Sequence, residues 1–202
     1  MKNYNLFKFF STPVFHFTLE NYEKLNNELE KYILNLKKKD EKGQTKSNAG
    51  GWHSDNFDIV NDPVAKKFAN VFEKYYKKVI IDEMGWKYDS NLTKMEAMWS
   101  IINKKGSFNI QHNHANAYLS SAYYVRYPEN SGVIKFYDPR DQKNIRYPKI
   151  KNYTELSAQI VEIKPKEGDL LIFPSYLYHS VAKNLSEKDR IIISFNIDIK
   201  YT

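Results

Sequence analysis

The chain has 202 residues, 42% hydrophobic and 27% charged, with no cysteine. This is the composition of one globular domain, and it excludes disulfides, thiolate metal sites and a cysteine nucleophile. The net charge is +7, but apart from Lys37–Lys39 the lysines are spread along the chain, which argues against a nucleic-acid partner.

No apolar run approaches the ~20 residues of a membrane helix, and the first residues lack the uninterrupted apolar core of a signal peptide. A cytoplasmic protein is expected. The sequence does not speak to oligomeric state.

In chain order, Pro13–Phe17 is predicted as a short strand. From Asn21 onward, Tyr22, Leu25, Leu29, Ile33 and Leu36 recur at steps of three and four, which predicts a helix. Lys37–Lys39 would close it, their charge suiting the negative end of the helix dipole. A polar stretch follows with Gly43 as a breaker, then a loop at Ser47–Ser54 in which two glycines make a turn with Trp52 packed under it. Asp62-Pro63 reads as a helix start, an acidic N-cap followed by proline at the first helical position. Val64, Phe68, Val71, Phe72, Tyr75 and Val79 continue that helix on one face, and Gly85 would end it.

The second half changes character. Met95–Ile102, Ala117–Tyr127, Val133–Tyr137, Gln159–Ile163, Asp169–Phe173, Leu177–Ala182 and Arg190–Ile199 are predicted as strands, rich in Tyr, Ile, Val and Phe and separated by turn residues. Many short strands at this spacing predict a mainly β fold with flanking α-helices, built as a sandwich, jelly roll or barrel. One domain is expected over residues 1–202, with 1–94 as helical support and 95–202 as the β core.

Five histidines are candidates for chemistry. His112-Asn-His114 places two imidazoles at i and i+2, which on a strand point to one face and could share a metal ion. Imidazole suits Fe, Zn, Cu and Ni. Two polar loop histidines would look the same. His179 adds to them, following the apolar segment Gly168–Phe173 and a proline break. Arg190 opens an alternating strand and shares a face with Ser194 and Asn196. An inward-facing arginine needs a partner, and its planar fork suits a carboxylate; a surface ion pair is the plainer explanation. His16, between Phe15 and Phe17, reads as a structural histidine; His53 could line a substrate mouth, but a structural turn, with Trp52 packed under the two glycines, is the plainer reading of its loop.

The order of these residues, HxH, then a distal histidine, then arginine, resembles the 2-oxoglutarate, Fe(II)-dependent oxygenase superfamily. More narrowly, the chain resembles a family of small prolyl-hydroxylase-like oxygenases common in phages and marine bacteria. The matching segments include Phe10–Phe15, Ser47–Ser54, Met98–Ser100, Gln111–His114, Leu119–Val125, Phe136–Arg140, Gly168–Val181 and Arg190–Asn196. The resemblance implies a double-stranded β-helix, a jelly-roll and cupin-like core. It implies Fe(II) and 2-oxoglutarate as cofactors, with His112, His114 and His179 as metal ligands. Arg190, helped by Tyr124, Ser194 and Asn196, would bind the 2-oxoglutarate carboxylate. It implies a dioxygenase that hydroxylates a small molecule or a protein side chain, releasing succinate and CO2.

One departure stands out: His114 occupies the position of the superfamily's acidic ligand. Asp138 is the second candidate for a carboxylate ligand. Tyr124 reads equally well as a core aromatic. Two other functions fit the residues. One is a three-histidine cupin-like dioxygenase or isomerase that does not use 2-oxoglutarate, with Arg190 binding the substrate's own acid group. The other is a non-enzymatic jelly-roll accessory protein with a structural metal.

Overall fold

The computed structural model describes residues 4–140 and 148–200. Eleven strands are described: β1 (Phe15–Thr18), β2 (Asn48–Ala49), β3 (Trp52–His53), β4 (Thr93–Asn103), β5 (Phe108–His112), β6 (Leu119–Arg126), β7 (Ile134–Tyr137), β8 (Ile160–Ile163), β9 (Asp169–Pro174), β10 (His179–Val181) and β11 (Arg190–Ile199). Two helices, α1 (Tyr22–Lys39) and α2 (Pro63–Lys78), precede β4. A six-stranded sheet runs β1-β9-β6-β11-β4-β3, and a five-stranded sheet runs β2-β5-β10-β7-β8. Every pairing among the described residues is antiparallel.

The predicted helix starts and faces are largely those of the structure. The Asp62 carboxylate accepts from the backbone N–H of Val64 and Ala65, satisfying two donors that the first helical turn leaves free. Phe68, Phe72 and Tyr76 of α2 are buried together with Leu29 and Ile33 of α1. Val64 departs from the expected apolar face and is exposed, because it sits in the first turn beside the cap. After α2 the chain makes a π-helical turn, Val79–Glu83, before Gly85.

Strand alternation divides the apolar residues into two layers. On β11, Ile191, Ile193, Phe195 and Ile197 face the helices, as do Met98 and Ile102 of β4 and Leu119, Tyr123 and Val125 of β6. The opposite parity, Ile192, Trp99, Ile101, Ala122 and Tyr124, packs against Ile134 and Phe136 of β7 and Val181 of β10. The six-stranded sheet is therefore covered on both faces, by helices outside and by the five-stranded sheet inside. Each large side chain buried this way contributes roughly 1.5–3 kcal/mol.

Three expectations change. β5 is an additional strand, hidden in sequence because Phe108-Asn-Ile-Gln-His112 mixes polar and apolar residues. The loop expected at Ser47–Ser54 contains two short strands, β2 paired with β5 and β3 paired with β4, whereas β1, paired with β9, lies where a strand was expected. The expected strand Leu177–Ala182 narrows to β10. Gly51 permits the close approach of β3. Its φ is +71°, and a Cβ there would lie 2.5 Å from the Ile102 carbonyl oxygen.

Candidate metal centre

His112 ends β5, and His179 begins β10 directly opposite it. Directly opposed residues of an antiparallel pair share a face, so the two rings meet with centroids 4.3 Å apart. His114 arrives differently from the expected strand alternation. It lies just beyond β5, and its backbone N–H donates to the Ser175 carbonyl at 3.0 Å. Its ring centroid is 5.2 Å from each of the other two. Each histidine offers a nitrogen within 4.8 Å of the others, as one metal ion requires.

The ring nitrogens sort themselves. Nδ1 of His112 lies 2.8 Å from the Ile110 carbonyl oxygen and Nδ1 of His179 lies 3.0 Å from that of Leu177. A carbonyl only accepts, so in both rings Nδ1 carries the hydrogen and Nε2 is left with its lone pair. Nδ1 of His114 lies 2.9 Å from Asn196 Oδ1. Its Nε2 is buried and has no hydrogen-bond partner.

Burial lowers the pKa of all three imidazoles below the usual value. Aided by the His112 charge, it takes His114 to about 4 and His179 to about 3. All three are therefore neutral at neutral pH, the state in which histidine binds a metal.

The rings face a cavity of about 640 Å³ between the sheets, within the roughly 300–1,000 Å³ of small-molecule sites. His53 and Trp99 form part of its wall. Trp99 stacks 6.0 Å from His53 on one side and 5.5 Å from His114 on the other. His53 Nδ1 lies 2.7 Å from the Ser54 carbonyl oxygen. The Trp52 ring lies against Gly43 and donates from Nε1 to the Asp40 carbonyl at 2.7 Å. His16 lies outside the cavity wall, 3.0 Å from the Asp169 carboxylate.

Arg190 is fully buried. Its Nη1 donates to the carbonyls of Ser131 and Ala182, while Nε and Nη2 have no partner. The neighbouring Tyr124 is also buried, with an unpartnered hydroxyl. Burial raises the Tyr124 pKa, with Arg190 opposing it, so the phenol stays protonated. Three guanidinium N–H groups, on two nitrogens, and one O–H therefore lie in the interior without acceptors. Such groups are costly unless something accepts from them. Tyr124, Ile192 and Ser194 line the cavity, whereas Arg190 sits behind that lining.

Two sequence candidates are placed differently. Asp138 lies outside the histidine group, with its carboxylate 2.8 Å from the Arg140 guanidinium, beside a separate hollow of about 420 Å³. It is not a member of the cluster that could hold one ion, which consists of His112, His114 and His179. Asn196, expected beside Arg190, has its amide oxygen committed to His114 and to Ser120. Its contacts put it with the histidines.

Residues 97–196, about half the chain, match the model of the family described as "Putative 2OG-Fe(II) oxygenase". The chain belongs to this family. The family's own description names its cofactors, Fe(II) and 2-oxoglutarate. No curated protein matches the sequence.

Solved structures of similar fold include a prolyl-4-hydroxylase from Pseudomonas putida, with TM-score 0.67, 10% identity and coverage of 95% of each chain. HygX from Streptomyces hygroscopicus, solved with nickel and 2-oxoglutarate, gives TM-score 0.61 at 11% identity, over 94% of this chain and 84% of that one. SnoK, a non-heme alpha ketoglutarate-dependent carbocyclase from nogalamycin biosynthesis, gives 0.66 at 9% identity, over 92% and 79%. Likeness at such identities shows the fold, and the oxygenase has the double-stranded β-helix.

The residues present fit the family's cofactors. Three neutral imidazoles with free Nε2 atoms suit an iron(II) ion. The unpartnered Arg190 and Tyr124 donors suit a carboxylate.

Proposed function

We propose that the oxygenase is an Fe(II)- and 2-oxoglutarate-dependent dioxygenase that hydroxylates a small molecule or a protein side chain. His112, His114 and His179 hold the metal through Nε2. Arg190, with Tyr124, receives the far carboxylate of 2-oxoglutarate. Ser194 lines the route between them. The observation that carries this reading is the joint presence of the converging Nε2 atoms and the buried, unpartnered donors of Arg190 and Tyr124.

Bound iron and 2-oxoglutarate supply the oxidising chemistry, with succinate and CO2 as products of the co-substrate. The chain's part is to bind, orient and exclude water. Backbone carbonyls aim His112 and His179. The Arg190 fork meets a carboxylate in a fixed orientation, which sets how the rest of the acid reaches the metal. The apolar layer of Ile192, Ile134 and Val181 keeps water from that path.

A second reading, a three-histidine cupin-like dioxygenase or isomerase without 2-oxoglutarate, is favoured by the lack of a carboxylate in the ligand group. The test is succinate release under air from protein loaded with Fe(II) and 2-oxoglutarate. Slow uncoupled release that disappears in His179→Ala supports the proposal. A wild type that binds iron and releases no succinate supports the second reading.

A further inference from the structure

His112 and His179 are each oriented by a carbonyl two residues earlier in their own segment, Ile110 and Leu177. His114 has a different kind of anchor, supplied by β11 from 82 positions away. Asn196 Oδ1 receives His114 Nδ1 at 2.9 Å and the Ser120 hydroxyl at 2.9 Å. Ser120 faces Asn196 across the β6–β11 ladder, and its hydroxyl lies 2.9 Å from that of Ser175. Ser175 in turn accepts the His114 backbone N–H through its carbonyl at 3.0 Å. Ring and backbone of His114 are thus both tied to one chain of polar groups, the buried Ser120 and Ser175 and the half-buried Asn196.

We propose that Asn196 is the positioning residue that makes a histidine serviceable at position 114. Its amide oxygen holds the ring with Nδ1–H toward β11 and the Nε2 lone pair toward His112 and His179. This rests on the three-histidine reading above. A neutral amide oxygen is matched to this task. It accepts one hydrogen bond from the ring and one from Ser120, while adding no charge to a ligand set that has none. With the amide reversed, its NH2 would donate to Nδ1 and the ring hydrogen would move to Nε2. That hydrogen would be buried with no acceptor, since Nε2 has no partner. A lone pair there is what a metal ion needs.

Two readouts test this. The first is the imidazole 15N–1H spectrum of the metal-free protein. Wild type and Asn196→Asp should show His114 as the Nδ1–H tautomer, and Asn196→Leu should lose that preference. The second is Co(II) affinity. Asn196→Leu should bind roughly 10–100-fold more weakly, the usual effect of removing a partner behind a ligand. Asn196→Asp should stay within a few-fold of wild type, because a carboxylate accepts the same bond. In a His114→Ala background, Asn196→Leu should have no further effect. An Nε2–H tautomer in wild type, or an equal affinity loss in the His114→Ala background, would overturn the proposal. A wild type that binds no Co(II) yet keeps an Asn196-dependent Nδ1–H ring would remove the metal centre and leave the Asn196 contact standing.

Discussion

Tyr123 and Tyr124 are neighbours on β6, both buried, and they point to opposite faces of the sheet. Tyr123 faces the helices and donates to Asn26 Oδ1, whose amide nitrogen donates to the Val125 carbonyl at 2.9 Å. Tyr124 faces the other sheet, and its hydroxyl donates to nothing. The same division runs along β11, where Ile191, Ile193, Phe195 and Ile197 fill the helical layer while Arg190, Ser194 and Asn196 alternate with them. Burial alone does not separate scaffold from site. An unpaired polar atom alone does not either, since Ser100, of the same parity as Met98 and Ile102, also has a hydroxyl without a partner. What sets the Tyr124 side apart is that its hydroxyl lies beside the unpaired Nε and Nη2 of Arg190, donors that are costly unless something accepts from them.

Substitutions across the two faces can break that comparison. The largest effect belongs to the metal site: His179→Ala or His112→Ala should abolish binding of one divalent ion per chain, read by metal analysis after dialysis. Full stoichiometry in either variant would contradict the ligand assignment. Next comes Arg190→Ala. Breaking a buried charge-assisted pair costs about 2–5 kcal/mol, roughly a 30-fold to several-thousand-fold loss of 2-oxoglutarate affinity at about 1.4 kcal/mol per tenfold. Arg190→Lys should also bind weakly, because it keeps the charge and loses the fork. Metal affinity should survive in both.

The tyrosine pair gives the sharpest contrast. Tyr123→Phe leaves the Asn26 oxygen buried without its donor and should cost about 1–3 kcal/mol in denaturant unfolding. Tyr124→Phe removes a group that has no partner, so stability should hold or rise, while 2-oxoglutarate affinity falls by roughly tenfold, the loss of about one hydrogen bond. Equal destabilisation in the two variants would show that the Tyr124 hydroxyl is structural. The smallest effect is expected far from both faces: Asp62→Ala should cost about 1 kcal/mol through loss of the α2 cap, with no change in either affinity.

Much of the scaffold was legible in the sequence because its signals are local. The Asp62-Pro63 pair marks α2, and strict alternation marks β11 from Arg190 to Ile199. β5 was not legible, since it is a strand only through pairing with β2 and β10, which no local pattern records. β2 and β3 were hidden for the same reason. The three histidines were readable as a group, but the route by which His114 joins them was not. It depends on the Ser175 carbonyl and on Asn196, brought together by the turn after β9 and by the β6–β11 register. Parity placed Asn196 on the right face beside Arg190. Only three-dimensional spacing along that face separates a residue near the carboxylate from one at the metal end.

The central claim is that the unpaired donors behind the cavity and the three-histidine cluster serve one ligand, 2-oxoglutarate chelated to Fe(II). Anaerobic titration of 2-oxoglutarate into the Fe(II)-loaded oxygenase, followed by visible absorption, tests it most directly. The account predicts a saturable charge-transfer band in wild type, shifted to far higher concentration in Arg190→Ala and absent in His179→Ala. An iron-loaded wild type with no band, or an Arg190→Ala curve that overlays wild type, would contradict it.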